Sequence, residues 1–404
     1  MTRSPSSRRL VAALALAGTA GLTCAETSPY YIGATQAFSY DSNVFRQVDA
    51  LAQASSWGST GVVAGFDQPY GRQRFYGSAN VQYNYYQQLS QLNNTSYAAD
   101  VGWDWATIER LSGTVLASIS QNLGNYGGLD ETGPINIKNI QTGGRAFATV
   151  NYGLISLLQF HGRLGYSRVN YSARQYERYE LEQSTATLGV RKQFGGRLTL
   201  GTGLTYTQGD YFSIGREFDR YDIFVSGAWD YSGLSRFSAR LNYTDINYTG
   251  LFAQDQSGLT GFVRWAYKAT GKLDFTALLS YDTLANSGLT DTSGGLPVSL
   301  GDTNRLTTAL RLTAGYAATS KIKVDASLNH YRRSNEDLDS NNLIIDTRDQ
   351  VTSATLGATW TPTRNWLVAC NVNLQDRNQS GSDPGRLRPY TSYGASCSAQ
   401  FALQ

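Results

Sequence analysis

From Tyr30 onward the chain breaks into runs of roughly 10 residues in which every second position is apolar or aromatic. The connections between these runs switch regularly between very short and long. A period of two is the side-chain repeat of a strand, and it excludes an amphipathic helix, whose apolar positions return every three or four residues. Phe75, Gly77, Ala79, Val81, Tyr83 and Tyr85 form one stripe. Tyr97, Ala99, Val101, Trp103 and Trp105 form the next, with Asp100 and Asp104 on the opposite face. Similar stripes run through Tyr221 to Tyr231, Leu259 to Tyr267 and Leu273 to Tyr281. Runs of this length suit tilted strands crossing a bilayer.

The connections carry more information than any single strand. Short ones fall at 68–72, 107–111, 152–156, 194–197, 232–235, 269–272, 318–321 and 361–365. Longer polar stretches lie at 122–139, 286–301 and 334–347. Short periplasmic turns alternating with long outer loops are the pattern of an outer-membrane barrel. Eight short turns join sixteen strands, and runs at 31–40 and 390–403 add one at each end. The sequence therefore predicts an all-β chain, a transmembrane antiparallel up-and-down β-barrel of about 18 strands, or 16 or 20 if one loop or weak strand is misread. Both termini then lie on the periplasmic side. A soluble sandwich or propeller would carry polar outer faces and no systematic alternation of loop length.

The 404 residues include 27 Tyr and 41 Gly, material for one large β domain although length alone would suggest two or three. Mean hydropathy is −0.34, and the sustained apolar run at 10–22 is shorter than the ~20 residues a spanning helix needs. That run follows Arg3, Arg8 and Arg9 and ends in Thr23-Cys24-Ala25, which reads as a secretory signal over residues 1–25 with a barrel domain over 26–404. Gly21-Leu22-Thr23 lacks the pattern expected before a lipidated Cys24. Without the three leader arginines, 31 of the 34 basic residues remain against 31 acidic ones. A neutral mature chain offers no global basic field for nucleic acid.

Cys370 and Cys397 fall in the last two predicted strands, equidistant from a turn near Asp383-Pro384. Antiparallel pairing sets them side by side, giving either a cross-strand disulfide or two small apolar residues facing lipid. With the stripes facing lipid, parity predicts a lumen lined by Arg74, Asp100, Asp104, Arg145, Arg163, Arg191, Asp222, Asp230, Arg240, Arg264, Asp274, Arg311, Lys323 and Asp325. Asn80, Asn84, Asn151, Asn242, Asn371 and Asn373 join them, with Tyr76, Phe147, Phe224, Phe262 and Tyr331 as inward aromatics. A polar interior of both signs can orient hydroxylated or charged solutes, or can be salt-bridged filling.

Near the mature amino end, Tyr40-Asp41-Ser42-Asn43-Val44-Phe45-Arg46 resembles the Y-D-x-N-V-F-R signature of the beta-barrel porin-2 family, which includes EpsL-like exopolysaccharide-associated barrels. The resemblance implies an outer-membrane conduit taking part in exopolysaccharide export. It also implies a polysaccharide substrate, a periplasmic polysaccharide export protein and an inner-membrane polymerisation system. From the residues alone, Tyr40 closes a strand, Asp41 to Asn43 make a turn, Val44 and Phe45 pack inward, and Arg46 pairs with Asp41 or faces a sugar acid. The alternatives are a general or solute-specific diffusion porin, trimeric in some forms, and a structural or adhesive surface barrel with a plugged lumen.

Catalysis is poorly served. The chain has two histidines, His161 and His330, and neither a G-x-S-x-G turn nor an H-E-x-x-H pair. Asp337-Leu338-Asp339-Ser340-Asn341 starts like a calcium loop, but Asn342 replaces its glycine and Arg348 its acidic twelfth position. The expectation is a non-enzymatic monomer without cofactor or bound metal in the outer membrane of a Gram-negative bacterium. Its other partners would be outer-membrane lipid, lipopolysaccharide and the barrel assembly machinery, with no nucleic acid.

Overall fold

In the computed structural model, which describes residues 28–124, 126, 136–250, 255–283, 306–338, 344–381 and 388–403, eighteen antiparallel strands close into one barrel. The first nine are β1 (Tyr30–Asp41), β2 (Ser55–Tyr70), β3 (Gln73–Tyr86), β4 (Asn94–Ala106), β5 (Leu111–Leu123), β6 (Ile140–Leu154), β7 (Leu158–Tyr171), β8 (Leu181–Phe194) and β9 (Leu198–Tyr211). The second nine are β10 (Arg216–Asp230), β11 (Ser235–Thr249), β12 (Gln256–Lys268), β13 (Leu273–Thr283), β14 (Leu306–Ala317), β15 (Ile322–Leu338), β16 (Ile344–Trp360), β17 (Trp366–Gly381) and β18 (Tyr390–Leu403). Each strand pairs with its neighbours in sequence, and β1 also pairs with β18, from Ile32 opposite Leu403 to Asp41 opposite Gly394. The 18 strands predicted from the turn census are those observed. The leader inferred at 1–25 lies outside the described residues, as does the polar stretch at 286–301.

Turn chemistry sets the short ends. Tyr70 pairs with Gln73, so two residues close the β2–β3 hairpin, and Gly71 supplies the positive φ of 59° that a side chain would resist. On the opposite side of the barrel the strands run long. β15 and β16 each have 17 residues, more than the ~9–11 needed to cross a bilayer. The stretch 334–347, expected as a loop, is therefore mostly ladder: pairing continues from Ser334 opposite Arg348 to Leu338 opposite Ile344. Once a hairpin leaves the lipid both its faces meet water, so the alternation that marks a strand in sequence disappears while its backbone bonds persist.

The outer surface is apolar across the membrane-crossing part of the strands. Leu188, Leu204, Ile223, Val263 and Leu374 are all more than half exposed, forming the outward apolar band of a transmembrane barrel. Aromatic pairs gather near the short turns, including Phe75 with Trp103 at 5.9 Å and Phe237 with Trp265 at 6.1 Å between ring centres. The indole N–H of Trp103 donates to Gln73 Oε1 at 2.8 Å and that of Trp265 to Ser235 Oγ at 2.9 Å. Each ring thus keeps an apolar body toward lipid and a satisfied polar edge toward the interface.

Cys370 and Cys397 face each other across β17 and β18 and are bonded as a disulfide, on the same outward side as Leu374 and Tyr393. Peptide mapping of the mature barrel without reductant is expected to recover one linked pair containing these two residues. Recovery of both as free thiols would contradict the pairing.

Candidate functional site

The inner wall follows from the same parity, and all 14 charged residues predicted for the lumen stand on the face opposite the exposed apolar side chains. The structure sorts them by height. Near the periplasmic turns the charges are paired and half exposed: Arg74 with Asp67 at 2.5 Å, Arg236 with Asp230 at 3.5 Å, and Lys323 with Asp325 at 2.9 Å. Pairs this wet contribute about 0–1 kcal/mol each, so they shape the local field more than they stabilise the wall. The carboxylate of Asp274 lies over Gly315 on the neighbouring strand.

In the middle of the wall, amides, hydroxyls and aromatic faces position the arginines. Arg145 Nε donates to Ser118 Oγ at 3.0 Å. Arg240 donates to Asn242 Oδ1 at 2.8 Å and Thr205 Oγ1 at 3.2 Å and Arg311 to Asn329 Oδ1 at 2.7 Å, while Arg191, nearer the short turns, donates to Gln159 Oε1 at 2.7 Å and Asn151 Oδ1 at 3.0 Å. Arg163 lies over Phe147 at 4.4 Å and Arg240 over Phe224 at 3.8 Å, each close enough for a cation–π contact. Arg264 faces inward between Ser238 and Leu278. On the wall formed by β3 to β5 the acids accept from hydroxyls, Asp100 from Ser78 at 2.5 Å and, nearer the short turns and opposite Arg74, Asp104 from Thr114 at 2.6 Å.

Toward the outer mouth the inner wall is shut off from solvent. Arg220, 1% exposed, donates to Asp222 at 2.9 Å and Asp282 at 3.1 Å, while Thr244 donates to Asp222 at 2.6 Å. Arg333 and Arg377 both pair with Asp349, the latter at 2.8 Å, and Tyr390 lies within electrostatic range of all three and of Arg46. Sequence reading missed Arg220, Asp282, Arg333, Asp349 and Arg377 as a set. Their inward parity was available, but the link from Arg220 to Asp282 spans 62 positions, and only the closed barrel brings these residues together.

Two hydrophobic clusters also belong to this level, which departs from a lumen expected to be polar throughout. Val169, Leu181, Tyr211, Phe218, Ile246 and Tyr248 form one on the inner face of β7 to β11. The other joins loop residues Phe45, Leu89, Leu92, Tyr126, Ala173, Tyr176 and Tyr179 to the inward-facing Tyr86. Inward positions covered by folded-in loops meet protein instead of water, so apolar residues are favoured there. Burial pushes the Tyr126 phenol up to about 12, opposed in part by the hydrogen bond from Asn139 N–H. Tyr176 is raised too, by burial and then by Tyr126 and Tyr171. Both phenols are neutral at physiological pH and suit an apolar cluster.

The heptapeptide supplies the anchor of this closure. Tyr40 ends the outward face of β1, and Asp41 Oδ1 accepts from the Asn43 N–H at 2.8 Å. Arg46 grips both oxygens of Asp41 at 2.8 Å, and it is the single non-glycine residue at positive φ among the described residues, at 53°. Asn43 is fully buried: it donates to Gln47 O at 2.7 Å and Thr391 O at 3.3 Å, stitching the loop onto β18. Val44 and Phe45 then enter the aromatic cluster, with Phe45 meeting Tyr126 edge-on at 5.0 Å.

The two histidines stand apart. His161 lies on the lumen side, 6.4 Å from Phe224, and His330 faces outward with Nδ1 2.9 Å from Thr352 Oγ1. Asp337 of the calcium-like stretch sits in β15, and 339–341 lie outside the described residues.

No known protein family matches the chain, and no curated protein does. Solved structures do. OccK1 (OpdK) of Pseudomonas aeruginosa aligns over 93% of this chain and 99% of its own, at 10% identity and a TM-score of 0.50. OccK2 (OpdF) of the same organism covers 93% and 98% at 11% identity, and OccAB4 of Acinetobacter baumannii 94% and 99% at 10%, both with TM-scores of 0.50. The chain shares its architecture, a closed 18-stranded antiparallel β-barrel, with these outer-membrane channels. The shared feature is the fold.

A bidentate charge-assisted pair contributes roughly 1.5–3 kcal/mol, about a 10- to 100-fold bias toward the closed loop. Asp41→Ala should therefore speed trypsin cleavage after Arg46 in the folded barrel by about tenfold or more. Equal cleavage rates in the two proteins would show that the Asp41–Arg46 pair does not hold the loop.

Proposed function

We propose that this barrel is a solute-specific porin that lets small hydrophilic molecules cross the outer membrane. The observation that carries the reading is the middle of the inner wall. There Arg145, Arg240 and Arg311 donate to hydroxyl and amide oxygens of the wall, and Asp100 accepts from Ser78 on the same inner surface. A barrel of 18 strands is wide enough for an aqueous path. Fixed charges of both signs along its wall create a local field that orients hydroxylated or charged solutes. Similarity of architecture to OccK-type outer-membrane channels supports the same reading. These partners are transport chemistry and require no catalytic group.

Export of exopolysaccharide rests on the heptapeptide, and its residues are accounted for by internal work. Asp41 and Arg46 pair with each other, Asn43 is used up in the loop, and Phe45 is buried. None of them is spent on a path for a polymer, so the porin reading is preferred. The same buried loop residues speak against a surface-adhesive role for that loop.

Liposomes carrying the folded barrel should swell in isotonic solutions of small sugars, at rates that fall as solute size rises. Deletion of the gene should slow uptake of small solutes and leave secreted polysaccharide unchanged. Loss of secreted polymer with normal uptake would replace the porin reading by export, and absence of both swelling and conductance would point to a sealed structural barrel.

A further inference from the structure

The lipid-facing surface is not uniformly convex. Between β6 and β10 it carries an outward groove of about 710 Å³, walled by Tyr152, Phe160, Leu188, Leu204 and Ile223. Its origin is local. Gly162 faces outward in the row between Val150 and Leu188, so the position between those two side chains has none. A Cβ built there would meet Leu188 only at 3.5 Å, an ordinary contact, so the space is open. Of the polar residues in the lining, Thr202 donates its hydroxyl to Phe224 O at 2.8 Å, and His161 belongs to the lumen side of β7. The surface offered is therefore largely apolar and set in the half of the barrel nearer the short turns.

A cation stands at the end of this groove. Lys192 shares the outward face of β8 with Leu188 and Val190, and it lies two residues, roughly 7 Å, beyond Val190 toward the periplasmic turn. Its ammonium is exposed and sits 5.4 Å from the centre of the Phe194 ring. Arg197 follows in the turn that ends the same strand. A long apolar slot in the bilayer core with a cation at its interfacial end matches one kind of molecule.

We propose that the groove binds a phospholipid of the periplasmic leaflet, one acyl chain lying along Gly162 between Phe160 and Leu188 and the phosphate meeting Lys192. Charge and depth select this occupant. The acyl chain needs the missing side chain at 162, and a phosphate at the periplasmic interface falls at the height of Lys192. Lipid A of the outer leaflet would place its phosphates at the other end of the strands. The proposal concerns the outer surface and stands apart from what crosses the lumen.

The test uses the full barrel reconstituted in vesicles of phosphatidylglycerol and phosphatidylethanolamine, extracted in detergent, and examined by native mass spectrometry. Heat-dependent gel mobility verifies that each variant is folded. The wild type is expected to retain one phospholipid, with phosphatidylglycerol favoured. Gly162→Leu, which fills the slot, should lower retention about tenfold. Lys192→Glu should abolish the preference for phosphatidylglycerol, while Ala354→Leu on the far side of the barrel should change neither. Retention equal in wild type and Gly162→Leu overturns the proposal. So does an unchanged headgroup preference in Lys192→Glu, which would mean an alkyl slot that detergent or any lipid fills, and so does preferential retention of lipid A from mixed vesicles.

Discussion

Ten residue pairs, from Ile32 opposite Leu403 to Asp41 opposite Gly394, turn an 18-stranded sheet into a ring. In hydrocarbon a backbone N–H or C=O without a partner costs several kcal/mol, so a sheet with two open edges cannot stay there and a closed one can. Everything else in this molecule follows from that closure. It fixes which face of each strand meets lipid, and the side-chain period of two then sends every other residue into the interior. It also brings β1 and β18 together, so the first outer loop can be tied to Thr391 and Tyr393.

The interior changes character along its height because its surroundings change. Wet ion pairs near the periplasmic turns give way to arginines fixed by amides and aromatic rings, and then to buried pairs such as Arg220 with Asp222 and Asp282. Low polarity around the last group makes each charge depend on its partner, since a buried charge without one costs several kcal/mol. Around them, one hydrophobic cluster drawn from four successive outer loops and a second on the inner face of β7 to β11 fill inward positions that would otherwise meet water. The buried outer end holds the loops in place, while the middle of the wall keeps its polar side chains toward the interior.

How much of this could be read beforehand depended on whether the cue was local. Alternation along Tyr221 to Tyr231 and the short turns are properties of neighbouring residues, and they were enough for the strands, their number and the lumen-facing parity of residues such as Arg163 and Asp222. The 334–347 stretch misled because a ladder above the membrane has no apolar face to betray it. Leu116 and Ile246 point inward yet are apolar, since each is covered by side chains from elsewhere, Phe147 directly opposite Leu116 and Phe218 beside Ile246. The heptapeptide was visible as a motif. That its buried asparagine reaches β18, 348 positions away, belongs to the ring and could not be read locally.

The central claim is that one parity faces lipid and the other the lumen around a closed ring. Spin labels placed one at a time at positions 221 to 229 of β10, in the barrel reconstituted in lipid, test it by power saturation. Odd positions such as Ile223 and Val225 should relax with oxygen from the bilayer, and even ones such as Asp222 and Phe224 should not. Accessibility that does not alternate with a period of two along this strand would contradict the account.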